Sequence, residues 1–421
     1  MRVLWVGMLL AAAFAARAQG LPAAASPEAV GLSSATLQGV TNLIEEAVIE
    51  KRIPGAVVLI ARHGQVAYAR TFGYRDITTQ SSMAIDSIFR IASMTKPIAS
   101  LAAMMLVEEK KLGLDDPLSR YAQELTNLQV GIEHAGIDGK KVMALEPAKR
   151  EATVRDLLLH TAGFTYGMFG NTLVDEMYRG AGLLGPHMTL PEMTAKLAKL
   201  PLANQPGQMW RYSVATNVLG RVVEAASGMP FDQFIDARIV KPLKMQDSGF
   251  VVPQANLGRV AETFPDPATG RPRSQWPVRT PPRGAMGGEG MVSTAADYLR
   301  FAQLFLNGGT LDGARLASPE TVRLMTTQQL PPSVTKVRIS SAASTGSLVD
   351  NGFGYGFGVY QGANDTPPRA SPGTFYWGGA FGTDFFVDPK EQMVVILMTT
   401  VAGNGGLAGK IRPVIYQAIV N

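Results

Sequence analysis

Apolar residues recur every three to four positions in "LSSATLQGVTNLIEEAVIEK", where Leu37, Val40, Leu43, Ile44 and Val48 form one stripe, so the spacing predicts an amphipathic helix. The period then drops to that of a sheet: "GAVVLIARHGQVAYARTFG" predicts two strands joined at His63-Gly64, and "SIFRIAS" a short extended lead-in. Residues 94–109 are apolar on nearly every side, which predicts a helix buried in the middle of the protein. The middle of the chain reads as helix-rich. "ATVRDLLLHTAGF" predicts a helix stopped by glycine, and "VATNVLGRVVEAASGMPFDQFIDARIV" predicts two more helical stretches. Residues 262–290, rich in proline, glycine and arginine, read as a surface crossing. "STAADYLRFAQLFLNGG" predicts a helix with a hydroxyl start and a glycine stop. Strand patterns return in "YGFGVYQ", "TFYWGGA", "TDFFVDP" and "QMVVILMTT", and "LAGKIRPVIYQAIV" predicts a terminal helix in spite of Pro413.

Strands and a helix at both chain ends, around a helical middle, predict an α+β fold. One antiparallel sheet is built from both ends and flanked by the terminal helices, with a mainly helical insertion domain. The expected division is 27–108 and 285–421 for the discontinuous sheet domain and 109–284 for the helical domain with its loops.

Composition narrows the class. The 421 residues are 46% hydrophobic and 17% charged, enough for a sizeable core. The formal net charge of +5 is scattered, with no basic tract or basic–aromatic interleaving, so nucleic acid is not an expected partner. Residues 1–18 read as a signal peptide: Arg2, then the apolar "VLWVGMLLAAAFAA", then the small-x-small site Ala16-Arg17-Ala18. The competing reading, a membrane anchor, suffers from the shortness of that stretch and the lack of a stop-transfer flank, so no stable anchor is expected. With no cysteine the chain has no lipid-attachment residue, disulfide or thiolate metal site. The expected class is a periplasmic or secreted enzyme that depends on its own core.

Candidate chemistry begins at "RIASMTKP". Ser93 at a helix start is ordinarily a cap. Lys96 is harder to explain that way, because a cation in a first helical turn opposes the helix dipole at roughly 0.3–1 kcal/mol. Three positions apart, the two side chains share a helix face and can meet. A lysine in a dry setting can serve as proton acceptor, a serine needs one, and a helix N-terminus offers N–H groups to developing negative charge. Other serine mechanisms are absent from the sequence: there is no Gly-x-Ser-x-Gly, and His63, His134, His160 and His187 form no His-Glu-x-x-His motif. His160 reads as structural, at a helix C-terminus that favours an imidazolium.

Two further segments extend the pattern. "PGQMWRYSVATNVLGRVVE" carries Tyr212-Ser213-Val214 at a helix start, and "YWGGAFGTDFFVDP" carries Trp377-Gly378-Gly379 on an expected strand. With "LLLHTAGF", "GGEGMVSTAADYLRFAQLFLNGG" and "YGFGVY", these motifs in this order resemble the serine β-lactamase / penicillin-binding-protein superfamily. The nearest resemblance is to the family VIII carboxylesterases, the branch close to class C β-lactamases, and it covers the chain from about residue 27 to the end.

The resemblance implies Ser93 as acyl-accepting nucleophile, Lys96 as its proton partner, and Tyr212 as the group that shares the general-base role and protonates the leaving group. It implies an oxyanion hole from the backbone N–H groups of Ser93 and Ala380, and substrate contacts from Trp377, Gly378 and Gly379. Tyr166 in "GFTYGMFG" resembles the pocket-wall aromatic of related esterases; loop packing is the competing reading. Glu289 in "GGEG" is expected at the surface near the site edge.

Two departures bear on the substrate. Class C lactamases carry Tyr-x-Asn where this chain has Val214, and Lys-Thr-Gly where it has Trp377-Gly378-Gly379. Losing an amide and a point charge, and gaining apolar surface, favours neutral esters over anionic lactams. The implied activity is a serine carboxylesterase on short- to medium-chain acyl esters, through an acyl-enzyme on Ser93, with a small-molecule ester as partner and neither cofactor nor metal. The alternatives are a β-lactamase or D-alanyl-D-alanine peptidase and, in another class, a non-catalytic cell-wall-binding relative. The sequence leaves oligomeric state, the physiological ester and the pocket loops at 262–290 and 340–373 open.

Overall fold

The computed structural model describes residues 20–267, 269–270, 276–336, 351–362 and 370–420. The expected signal peptide at 1–18 and much of the 340–373 loop lie outside the described residues.

Helix α1 (Ser34–Ile49) is capped by Ser33, whose hydroxyl accepts from Thr36 N–H, and it buries Leu37, Val40, Ile44 and Ala47 on one stripe. Strands β1 (Gly55–Arg62) and β2 (Gln65–Asp76) form the expected hairpin. Its turn at His63 and Gly64 has positive φ at both positions, 52° and 74°, the geometry of a tight two-residue hairpin turn. Helix α2 (Thr95–Glu108) runs buried from Thr95 to Leu106, so it lies inside the protein. Helices α3 (Ala215–Ser227) and α4 (Ala295–Leu306) pack against the same core. The chain returns to the sheet with β3 (Phe375–Gly378), β4 (Asp384–Asp388) and β5 (Met393–Met398), and ends in helix α5 (Leu407–Gln417).

Among the described residues the main sheet has eight strands, in the order Gly352–Phe353, Gly358–Val359, β3, β4, β5, β1, β2, Ser81–Ser82, with antiparallel neighbours throughout. N-terminal β1 pairs directly with C-terminal β5, Val57 facing Met398 and Arg62 facing Met393. Period-two alternation divides the side chains between two cores. Val57, Leu59, Trp377, Phe385 and Ile396 point to the core shared with α2, α3 and α4, whereas Val58, Ile60, Tyr376, Phe386 and Leu397 point to the core capped by α1 and α5. Both faces are covered, which is why β1 and β5 are continuous apolar runs.

Two local expectations need correction. The helix in "ATVRDLLLHTAGF" spans only Val154–Leu158 and stops before any glycine. His160 takes the left-handed position, with φ 54°, and its N–H and that of Thr161 donate to the carbonyls of Leu157 and Asp156. The middle of the chain also holds a β-hairpin, Gln129–Ala135 with Lys141–Pro147, in a region read as helical.

Candidate active site

Ser93 sits in a single 3₁₀ turn, Ala92–Met94, that leads straight into α2. Ala92 has a φ of 43°, a left-handed backbone that costs a residue with a Cβ on the order of 1–2 kcal/mol. The surroundings hold the turn in place. Ile91 N–H donates to Met291 O at 3.0 Å, and the Tyr298 hydroxyl donates to Met94 O at 2.9 Å. The end of β3 lies against the same turn: a Cβ on Gly379 would come within 2.4 Å of Ile91 O and 2.2 Å of Thr383 Oγ1. Only glycine admits so close an approach. Gly379→Ala is therefore expected to displace the strand end from Ser93 and lower kcat/KM for an ester by about 10²-fold, the usual effect of a misplacement near 1 Å. Steady-state kinetics beside a circular-dichroism melt check this; unchanged kinetics in a folded variant would show that the approach is not needed.

Lys96, 2% exposed, lies in the first turn of α2. Its Nζ donates to Ser93 Oγ at 3.0 Å and to Gly288 O at 2.6 Å, and lies 4.8 Å from the ring centroid of Tyr212 and 5.3 Å from that of Tyr166. An ammonium here is desolvated and faces the positive end of a helix, so the two acceptors and two ring faces are what make the position tenable.

Tyr212 follows the short Met209–Trp210 strand and precedes α3, and its hydroxyl donates to Ser93 Oγ at 2.7 Å. The ring is held by aromatic neighbours: His160 at 5.0 Å, Tyr166 at 5.1 Å, Trp377 at 5.4 Å and Phe169 at 5.7 Å between centroids. The adjoining backbone is fixed by Arg211, whose N–H donates to His160 O and whose Nη2 meets both carboxylate oxygens of Asp175 at 2.6 and 2.7 Å. Asp175 is fully buried, which alone would push its carboxyl up, but hydrogen bonds from Thr165, Thr172 and Arg211 hold it below its ordinary range. Stability from this group is therefore present above the usual carboxylate range and is lost as pH falls through the depressed value. Arg211→Met strands a buried carboxylate and is expected to cost about 3–5 kcal/mol, read as a lower urea midpoint at pH 7.

The remaining candidates fall around this cluster. Tyr166 is buried beside Tyr212, and burial first, then the nearby Tyr212 and Glu289, push its phenol well above 10 and keep it neutral. Ala380 stands exposed in the turn after β3, and its N–H has no acceptor among the described residues. The Trp377 ring packs edge-on against Tyr212 and Phe353 at 5.4 and 5.5 Å, with its Nε1 buried and unpaired. Gly378 is half-buried, and Gly379 N–H donates back to Thr383 O at 2.7 Å. Val214, at the N-cap of α3, is 1% exposed and presents no amide.

His160 and Glu289 depart from expectation. The sequence favours an imidazolium at His160, but burial, and secondarily the charge of Lys96, hold that ring well below its usual pKa and hence neutral. Glu289 is not on the surface: it is 4% exposed, and its Oε1 accepts from Asn217 Nδ2 at 3.1 Å. Neither Asn217 nor the burial of the 285–289 segment was anticipated. The available signal was a lone amide on the apolar face of α3. Beside Glu289 opens a cleft of ≈ 290 Å³, lined by Phe250, Trp276, Met286 and Gly290 among others. Among the described residues no group of three or more His, Cys, Asp or Glu side chains could hold a metal ion, and no helix is long and apolar enough to cross a membrane.

The β-lactamase family profile matches residues 40–418. The chain belongs to the β-lactamase family. Esterase EstB of Burkholderia gladioli is 32% identical over 424 residues, covering 94% of this chain and 98% of that one. An uncharacterized protein of Mycobacterium tuberculosis strain CDC 1551 / Oshkosh is 36% identical over 391 residues, 88% of this chain and 95% of that protein. Among family structures, EstCE1, described as a hydrolase with promiscuous acyltransferase activity, superposes with a TM-score of 0.71 at 29% identity over 90% of this chain and 98% of that one. Simvastatin synthase (LovD) from Aspergillus terreus shares the fold with a TM-score of 0.74 at 24% identity, over 90% of this chain and 97% of that one.

Proposed function

We propose that this β-lactamase-family enzyme is a serine carboxylesterase of the family VIII type, cleaving short- to medium-chain acyl esters through an acyl-enzyme on Ser93. The observation that carries the reading is the convergence on Ser93 Oγ of Tyr212 Oη at 2.7 Å and Lys96 Nζ at 3.0 Å. Once one of these partners is deprotonated, it takes the Ser93 proton as Oγ attacks the ester carbonyl carbon. Negative charge then develops on the carbonyl oxygen, for which the N–H groups of Ser93 and Ala380 are the donors in this reading. As the C–O bond breaks, the proton passes from the Tyr212/Lys96 pair to the departing alkoxide. Water, giving a proton to the same pair, attacks the acyl carbon; the C–Oγ bond then breaks, the pair returns that proton to Ser93 Oγ, and the acid leaves.

Support for esters comes from the relative named Esterase EstB, from EstCE1, described as a hydrolase, and from Val214 and Trp377, apolar side chains where an amide and a cation would serve an anionic lactam. Parallel assays with p-nitrophenyl esters of increasing chain length and a chromogenic cephalosporin test the reading. Ester turnover far above cephalosporin turnover, with a fall-off at long chains, is expected; the reverse ratio would make the enzyme a lactamase or peptidase. A protein inert to every activated ester yet retained by peptidoglycan would instead be a cell-wall binder.

Export belongs to the same proposal, on the strength of the 1–18 segment. N-terminal sequencing of the protein expressed with that segment in a bacterial host should read from Gln19 in the periplasmic or culture fraction. A cytoplasmic product that retains residues 2–18 would overturn this part.

A further inference from the structure

Outside the three residues assigned to the reaction, one buried carboxyl in the site has no role. Glu289 lies on the Gly287-Gly288-Glu289-Gly290 loop, which is pressed onto α3 at backbone distance. A Cβ on Gly287 would stand 2.2 Å from Thr216 O, and one on Gly288 would stand 2.3 Å from Asn217 Oδ1 and 3.3 Å from the Tyr166 hydroxyl. The Asn217 side chain, fully buried, ties the loop down at both ends of its amide: Oδ1 accepts from Gly288 N–H at 2.6 Å, and Nδ2 donates to Glu289 Oε1 at 3.1 Å. Gly288, held in this way, turns its carbonyl to Lys96 Nζ at 2.6 Å, and Lys96 in turn reaches Ser93 Oγ. A continuous hydrogen-bonded line therefore runs from Glu289 through Asn217, Gly288 and Lys96 to the nucleophile.

We infer that Glu289 is a positioning residue for the esterase reaction: it supplies the buried negative charge that balances Lys96, and with Asn217 it holds the Gly288 carbonyl on the lysine. This rests on the function proposed above. Burial raises the Glu289 carboxyl from its ordinary range, while the charge of Lys96 and the Asn217 hydrogen bond draw it back. The titratable groups around it are Lys96 from α2 and Tyr166 from the 163–170 loop, with Tyr212 ahead of α3 packed against Tyr166 and against His160, which burial keeps neutral.

The sign of the effect follows. Removing a negative charge from a buried site disfavours neighbouring cations and favours neighbouring anions. Whichever group acts as base in the proposed reaction, removing the negative charge is expected to carry the acid limb of reactivity to lower pH. The test measures the second-order rate of Ser93 labelling by an alkyl p-nitrophenyl phosphonate across pH 4–10, in wild type, Glu289→Gln, Glu289→Ala and Glu289→Asp. Glutamine keeps an acceptor for Asn217, and alanine opens only onto the adjacent cleft, so two independent variants remove the charge. Both should move the acid limb of the profile down by about one pH unit or more, and Glu289→Asp should return it toward wild type. A merely structural role would lower labelling at every pH and leave the limb in place. That result, in a folded Gln or Ala variant, would overturn the inference and leave the esterase reading intact. Wild type that takes no label on Ser93 would overturn both.

Discussion

Alanine at position 93 is expected to reduce ester turnover by roughly 10⁴–10⁶-fold and to abolish phosphonate labelling, as when the nucleophile is removed from other serine hydrolases. The size follows from the geometry. Both Tyr212 Oη and Lys96 Nζ aim at Ser93 Oγ, so losing that one atom leaves two proton carriers with nothing to activate. The residual rate would come from binding and oxyanion stabilisation alone. The fold should be untouched, because Ser93 is a small side chain at a turn whose strained neighbour, Ala92, is held by backbone contacts. Activity assays, intact-protein mass after phosphonate treatment and a thermal melt check the three parts. A variant that still takes up one equivalent of label, or still turns over, would move the nucleophile elsewhere.

Phenylalanine at position 212 is the second large effect, a fall in kcat of about 10²–10⁴-fold with little change in KM, the range expected when a positioned general acid–base is lost. The hydroxyl contributes its hydrogen bond to Ser93 Oγ, while the ring contributes packing against His160, Tyr166, Phe169 and Trp377. Tyr212→Phe keeps the ring, so its melting temperature should stay close to wild type. Tyr212→Ala should lose both activity and stability. In the proposed mechanism Ser93, Lys96 and Tyr212 act as a unit, so Ser93→Ala/Tyr212→Phe should be no slower than Ser93→Ala alone. An additive double mutant would mean that Tyr212 serves a step in which Ser93 takes no part.

The cluster around Ser93 was open to inspection in the chain because its oddities are local. A lysine in the first turn of an all-apolar helix contradicts dipole and burial together, and such a conflict is a mark of function. The paired strands β1 and β5 were legible as unbroken apolar runs, since both of their faces are covered. The 129–147 hairpin was not, because its outer strand Lys141–Pro147 is largely exposed and carries no alternation to read. Glu289 was misplaced for a different reason. A carboxylate among glycines looks solvated, and what it meets is Asn217, 72 positions away, while the neighbouring Gly288 carbonyl meets Lys96, farther still. Burial of a polar group is a property of its distant partners, and no local window contains them. His160 illustrates the same point: the helix end argues for charge, but the rings packed over it remove the water that a charge would need.

The pairing of β1 with β5 has a consequence for how the molecule comes into being. β1, an interior strand of the sheet, is made early, but its partner β5 is made far later in the chain. Until then β1 has one open edge, the two cores lack a wall, and Gly379 is not there to hold the serine turn. Such long-range closure is slow and leaves an adhesive edge exposed during synthesis. A chain that stops before β3–β5 lacks a wall of both cores and the strand end that meets the serine turn, so it is expected to stay silent until these strands have been made.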